Sequence, residues 1–345
     1  MKKILCCILT LSLLLCAACT AEQDVDSSVD ISDFSSEDSP ATESSEEQSI
    51  AESSEFASSE EESSEQSVEI PALTTEQITA EIASVSSAKF TSNIEENEAL
   101  NALRTYLDGS GYGYFYCDVE YNHYAAYGCD KMFKTASTAK LPYVKYLLTL
   151  ADKGEIDIYE TMLFEARHKT SGSGIMKDLA SGVNYQIKTL MDYTLRYSDN
   201  VAYAMLIEKY GLNGYFDYVN TLGVNYTTAA NGYTNCTAST MAALLFDTAR
   251  YEGEGLSLML EAGCNASYNY QIGAELKEYT VLQKYGAMRP GNVAYHDIAV
   301  VYAPHPYILV IFTTIDYDSA GKNIPFRTLA RLTNDLNEAL YGTAE

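Results

Sequence analysis

The chain has 345 residues, with 22 Lys and Arg against 48 Asp and Glu and a formal net charge of −26. That balance argues against a nucleic-acid partner, because phosphate binding draws on clustered Lys and Arg. The acid is uneven: residues 20–70 hold 17 of the carboxylates, 16 Ser and no Lys or Arg, which leaves 31 acidic and 20 basic groups in residues 71–345.

The chain opens on Lys2 and Lys3, then an apolar run from Ile4 to Leu15, then Cys16-Ala17-Ala18-Cys19. A charged start, a short apolar core and small residues ahead of a cleavage point form an export signal, too short to span a membrane. The small-small-Cys ending resembles a bacterial lipobox, although Cys16 stands where such motifs usually carry Leu. The resemblance implies a lipoprotein signal peptide over 1–19, with Cys19 as the lipidated first residue of the mature protein. The expected location is the outer face of the bacterial cytoplasmic membrane. Residues 20–75 then read as a disordered acidic tether, since they bury too little apolar surface to offset ordering and their like charges repel.

Residues 76–345 are long enough for one large domain or two intimate lobes. Ser92 to Leu107 predicts an amphipathic helix with Leu100, Leu103 and Leu107 on one stripe. Tyr112–Val119 and Tyr124–Cys129 predict a hairpin turning at Asn122-His123. From residue 137 to about 262 the pattern is mostly helical. Strands follow at Thr280–Gln283, Ile298–Ala303 and Tyr307–Thr314; the last two are almost wholly apolar, as for strands covered on both faces. Arg327 to Tyr341 predicts a closing helix.

Four cysteines fall in this part, at 117, 129, 236 and 264. Cys117 and Cys129 lie symmetrically about the predicted turn at His123, so they are a candidate cross-hairpin pair; Cys236 with Cys264 follows only by elimination. No Cys-x-x-Cys is present and the four His show no ligand spacing, so neither a metal nor another cofactor is expected.

Three short motifs carry chemistry. In Ser137-Thr138-Ala139-Lys140, the residues that follow, Leu141, Val144 and Leu148, form a helical stripe, so Ser137 and Lys140 share the face of a helix's first turn. A hydroxyl there lies near backbone N–H groups that favour a developing oxyanion. It needs a base to become a nucleophile, which Lys140 can supply if burial and other cations depress its pKa. Ser198-Asp199-Asn200 heads a second helix, where Ser or Asp also serves as a plain cap. Lys284-Tyr285-Gly286 ends a predicted strand, with a glycine that permits close backbone approach.

In this order, the motifs resemble the Ser-x-x-Lys, Ser-Asp-Asn and Lys-Thr-Gly signatures of the class A β-lactamase and penicillin-binding superfamily. The resemblance covers roughly residues 88–342. It implies an α/β (α+β) fold: an antiparallel sheet backed by the terminal helices, plus an all-helical lobe, with the active site between them. It also implies roles. Ser137 is the nucleophile, Lys140 its base and Ser198 the proton shuttle to the leaving nitrogen, while Asp199 is structural. Asn200 holds the substrate amide, Lys284 is the cation for the substrate carboxylate, Gly286 allows approach, and the Ala287 N–H joins that of Ser137 in the oxyanion hole. Arg289 and Arg327 are candidate second cations. Tyr285 stands in place of the usual Thr and threatens the hydroxyl contact to that carboxylate.

One departure is decisive. Class A enzymes carry a loop glutamate between the second and third motifs that activates the deacylating water, yet here no Asp or Glu occurs between Asp217 and Asp247. The expected ligands are therefore β-lactams or the D-alanyl-D-alanine end of peptidoglycan stem peptides, forming an acyl-enzyme that persists. A true β-lactamase would need Asn231, Asn235 or Lys140 to activate water. A non-catalytic cell-wall peptide binder is the other rival. The protein is expected to be a monomer.

Overall fold

The computed structural model describes residues 73–288 and 293–342. Cys19, expected to carry the lipid, residues 20–72 of the expected tether and Arg289 lie outside the described residues.

A six-stranded antiparallel sheet takes the order β1-β3-β2-β10-β9-β8. Its strands are β1 (Thr91–Ser92), β2 (Gly113–Asp118), β3 (Tyr124–Tyr127), β8 (Thr280–Met288), β9 (Ala294–Tyr302) and β10 (Tyr307–Thr313). Successive side chains of a strand point to opposite faces, and β10 shows why it reads as one apolar run. Ile308, Val310 and Phe312 pack on one side with the helix α7 (Ala238–Ala249), while Leu309 and Ile311 pack on the other with α2 (Glu98–Leu107) and α10 (Ile324–Tyr341). Leu100, Leu103, Leu107, Leu329 and Leu336 supply that second core. The helices α2 and α10 thus back the sheet, as the resemblance implied for helices from the two ends of the domain.

Between β3 and β8 runs the helical lobe: α3 (Lys140–Asp152), α4 (Ile187–Arg196), α5 (Asn200–Tyr210), α6 (Asn213–Thr221), α7, α8 (Leu256–Cys264) and the short α9 (Ile272–Glu275). It is not purely helical. Thr161–Phe164 (β5) pairs with Val183–Gln186 (β6), and Phe133–Lys134 (β4) pairs with Asn235–Cys236 (β7).

Three expectations change. The predicted helix at Ser92 begins only at Glu98, because Ser92 is in β1 and the Asn97 side chain caps the helix by accepting from the Leu100 N–H. An unpredicted helix, α1 (Thr75–Ser84), opens the described residues. Thr74 and Gln77 form its capping box, and Thr79 Oγ1 donates to the Leu222 carbonyl at 2.7 Å, tying it to the lobe. The hairpin turns earlier than predicted. The Asp118 carboxylate accepts from the Asn122 and His123 N–H groups, which places Cys117 opposite Tyr124 and leaves Cys129 beyond the strand end. The Cys117–Cys129 pair therefore does not form; the Cys129 thiol faces the Val85 and Ser87 carbonyls. Cys236 and Cys264 are not bridged either.

Candidate active site

Ser137 sits in a 3₁₀ turn, Ala136–Ala139, that runs straight into α3. Two devices hold this turn. The Lys134 carbonyl accepts from His296 Nε2 at 2.8 Å, while His296 Nδ1 accepts from the Thr313 N–H, so the ring clamps the approach to Ser137 against the sheet. Burial pushes the His296 pKa down to about 4, which keeps the ring neutral, with one nitrogen donating and the other accepting. On the lobe side, β4–β7 pairing and a Thr135–Thr234 backbone bond of 2.9 Å fasten the turn to residues 231–237.

Backbone strain concentrates here. Among the described residues only Tyr121, Ala136 and Ser198 are non-glycine residues with positive φ, and the last two, at 46° and 51°, lie in the Ser137 turn and the second motif. Each costs of order 1–3 kcal/mol, a cost that persists where the surroundings over-determine the conformation.

The three motifs meet. Ser137 is 9 % exposed, Lys140 0 %, Ser198 1 % and Lys284 2 %. Lys140 Nζ donates to the Ser198 carbonyl at 2.7 Å, to Asn200 Oδ1 at 2.7 Å and to Ser198 Oγ at 3.4 Å. Lys284 Nζ donates to Ser198 Oγ at 2.9 Å. One serine hydroxyl therefore bridges two buried amines. Desolvation drives the Lys140 pKa well below the ordinary lysine value, and the Lys284 charge pushes the same way against the pull of Asp199. Lys284 falls to about 7 through burial, opposed by Asp297. Two buried amines side by side cannot both remain charged cheaply.

Gly286 is needed for contact between sheet and turn. A Cβ there would meet Thr138 Cγ2 and Thr138 N at 3.0 Å and Ser137 N at 3.2 Å. Ala287 follows it in β8, paired with Tyr295. β8 continues to Met288, past the predicted end, so Lys284 lies in mid-strand. Strand alternation also settles Tyr285: its ring points to the terminal-helix face, stacked on Tyr268 at 5.2 Å, and does not crowd Lys284. Arg327 donates from Nε to the Tyr270 carbonyl at 3.0 Å.

Asp199 acts as scaffold. Its Oδ1 accepts from the Val201 and Ala202 N–H groups, capping α5, and Oδ2 accepts from the Met176 N–H. The loop Ser171-Gly172-Ser173-Gly174, which sequence reasoning passed over, wraps this cap: Ser171 O accepts from Asn200 Nδ2 and Ser173 O from the Asn200 N–H. A Cβ on Gly172 would strike Asn200, and one on Gly174 would strike Asp199.

Sequence reasoning also missed Tyr233. It searched the stretch before Lys284 for carboxylates and named Asn231 and Asn235 on either side, but both are exposed, and Asn231 accepts from the Tyr233 N–H. The Tyr233 hydroxyl donates to Asn200 Oδ1 at 3.3 Å. Burial raises its pKa, so it stays a neutral phenol.

An antiparallel sheet between terminal helices and a mainly helical lobe, with these motifs at the junction, is the class A β-lactamase-like fold. The chain belongs to the beta-lactamase enzyme family, which matches residues 96–339. Three solved structures are similar to it. The β-lactamase from Sphaerobacter thermophilus is 20 % identical, with 71 % of this chain and 99 % of that one covered at a TM-score of 0.61. PBP-A carrying a leucine-to-glutamate substitution, solved as an acyl-enzyme complex with penicillin G, is 16 % identical, covering 70 % and 96 % at 0.61. The ancestral GNCA class A β-lactamase is 18 % identical, covering 69 % and 100 % at 0.58. No curated protein matches the chain.

Proposed function

We propose that the protein is an exported, lipid-anchored active-site-serine hydrolase that is acylated at Ser137 by β-lactams or by D-alanyl-D-alanine cell-wall peptides and deacylates slowly. The observation that carries this reading is the Lys140–Ser198–Lys284 network of buried amines and hydroxyl beside Ser137. Burying two amines next to each other is unfavourable for stability, and a pure peptide binder has no use for it. Lys140 takes the Ser137 proton as Oγ attacks the carbonyl. Ser198, held between the two amines, passes a proton to the departing nitrogen. The Ser137 and Ala287 N–H groups face the oxyanion, Asn200 holds the substrate amide, and Lys284 holds its carboxylate. Slow deacylation follows from the absence of a carboxylate in residues 218–246.

The test is intact-mass spectrometry after brief exposure to benzylpenicillin. The expected result is a mass increase equal to one penicillin that outlasts many acylation times, with a burst and a slow steady state on a chromogenic cephalosporin. General-base help to water is typically worth roughly 10²–10⁴-fold, so its loss should be evident. Fast linear hydrolysis with no trapped adduct would point to efficient turnover, and no adduct at all would point to a binder.

The anchor has its own expected result. Expressed in bacteria, the wild-type chain fractionates with membranes, and Cys19→Ser releases it or leaves it unprocessed. A wild-type chain recovered from the medium with an unmodified N-terminus refutes lipidation.

A further inference from the structure

We propose that His296 is a positioning residue for acylation: through its hydrogen bond to the Lys134 carbonyl it sets the spacing between the two N–H groups that receive the oxyanion. This rests on Ser137 being the nucleophile, with the Ser137 and Ala287 N–H groups facing the oxyanion, and the test below separates the two ideas.

Those two N–H groups belong to different layers of the protein. Ser137 follows β4, which pairs with β7 of the helical lobe, Phe133 opposite Cys236 and Lys134 opposite Asn235. Ala287 lies in β8, which pairs with β9 of the sheet. The gap between the two donors is therefore set by whatever fastens β4 to the sheet. Packing supplies closeness. The Phe133 ring lies edge-on to His296 with centroids 5.9 Å apart and tilted to Phe312 at 5.6 Å, and a Cβ on Gly286 would already press on the Ser137 and Thr138 nitrogens. Such contacts stop the layers from moving closer, but they are non-directional and let one layer slide along the other. His296 adds a directional tie. It stands opposite Gly286 across β8 and β9, so its side chain leaves the sheet on the face that meets the Ser137 turn. Its fully buried ring bonds to the Lys134 carbonyl at 2.8 Å, three residues before Ser137.

Proton counting fixes what the ring does. A backbone N–H can only donate and a carbonyl can only accept. The Thr313 N–H donates to Nδ1 at 3.0 Å, so the single proton of the neutral ring sits on Nε2 and points at Lys134. Phe312, with its centroid 4.5 Å from that of the imidazole, and Phe133 hold the ring in this orientation. Between the tie and Ser137 lies Ala136, at φ 46°. Such a strained turn keeps its shape while its surroundings over-determine it. Here the Lys134 carbonyl is fixed on one side and α3 on the other. In acylation the Oγ–carbonyl bond forms and the carbonyl oxygen becomes the oxyanion, so both N–H groups must then stand at hydrogen-bonding distance from one atom. The oxyanion collapses as the lactam C–N bond breaks, and the serine proton ends on the nitrogen. A substrate that is merely bound makes its contacts through Lys284 and Asn200 and does not need that spacing. His296 thus acts on the transition state and leaves ground-state binding alone.

The test reads the acylation rate at saturating benzylpenicillin separately from the concentration that half-saturates it, by intact mass, in the purified wild type, His296→Asn and His296→Gln. Thermal unfolding of each is measured alongside. Gln reaches as far as Nε2 and keeps a donor for Lys134. Asn reaches only as far as Nδ1, so it keeps an acceptor for Thr313 and loses the tie. His296→Asn should lose roughly 10–10²-fold in the saturating rate, the scale of a misplacement of about 1 Å. Its half-saturating concentration should stay within about threefold of wild type, as for an interaction made only in the transition state. His296→Gln should recover to within about fivefold of wild type, the worth of one imperfect hydrogen bond. If His296→Asn is unfolded, His296→Leu, which fills the space against Phe133 and Phe312 without a polar atom, takes its place with the same expected loss. Rates that track the unfolding midpoint, with Gln no faster than Asn, overturn the proposal, because His296 would then serve stability alone. So does a wild-type saturating rate in the variant that lacks the tie, or a loss that falls on half-saturation. A wild type that forms no adduct would instead refute Ser137 as nucleophile.

Discussion

Ser137→Ala should abolish covalent labelling by a fluorescent penicillin, leaving less than about 10⁻³ of the wild-type signal. The step forms a bond to Oγ, and no other hydroxyl occupies that place. Ser198, the other motif serine, has its Oγ engaged by two amines. The substitution is small. The turn is held by the His296 clamp and the Thr135–Thr234 bond, neither of which uses the Ser137 side chain. Loss of label therefore reports chemistry and not unfolding, and an unchanged thermal midpoint is the control. The variant should still bind the penicillin reversibly through Lys284 and Asn200. Equal labelling of Ser137→Ala and wild type would remove Ser137 from its role.

The parts of the site that are local in sequence were legible before the structure. Ser137 and Lys140 lie one turn apart on a helix whose start is marked by its apolar stripe, and Asp199 caps α5 from within its own motif. Tyr285 was within reach too: period-two alternation along a strand that runs to Met288 turns its ring away from Lys284, but the predicted strand stopped at Gln283. Tyr233 was not legible, because its approach to Asn200 depends on β4–β7 pairing across about a hundred residues and on a glycine turn with no hydrophobic pattern. The cysteine pairing failed for a similar reason. A single side chain, Asp118, moves the hairpin axis, and every cross-strand partner moves with it. The motif spacing picks Lys140 and not Lys145 on the same helix, and the structure supplies the physical contrast. Both are buried and desolvation lowers both pKa values, but Lys145 Nζ is ion-paired with Asp247 Oδ2 at 2.7 Å, which opposes that shift, whereas Lys140 has neutral acceptors and a second amine nearby.

That contrast sets the second large effect, which falls on Lys140. A base must be deprotonated to act, and desolvation together with the Lys284 charge provides for this by holding the Lys140 pKa well below the ordinary value. Arginine keeps a positive charge but cannot be deprotonated in a protein. Lys140→Arg should therefore lose roughly 10²–10⁴-fold in the second-order acylation rate constant, and Lys140→Met should lose a comparable amount because its thioether is not a base. The pH profile supplies a signature that misfolding would not imitate. On the acid side, wild-type acylation falls as Lys140 gains its proton. On the alkaline side it falls as Lys284, at about 7 in the free protein, loses the charge that meets the substrate carboxylate. The wild-type profile should thus be bell-shaped with its alkaline limb near pH 7, and Lys284→Ala should flatten that limb while weakening binding. The acid limb belongs to Lys140 and should vanish from the residual activity of Lys140→Met. Stopped-flow acylation with a chromogenic cephalosporin from pH 5 to 9 measures all of this. A Lys140→Arg protein that acylates within tenfold of wild type, with both limbs intact, would mean that the serine proton leaves by another route.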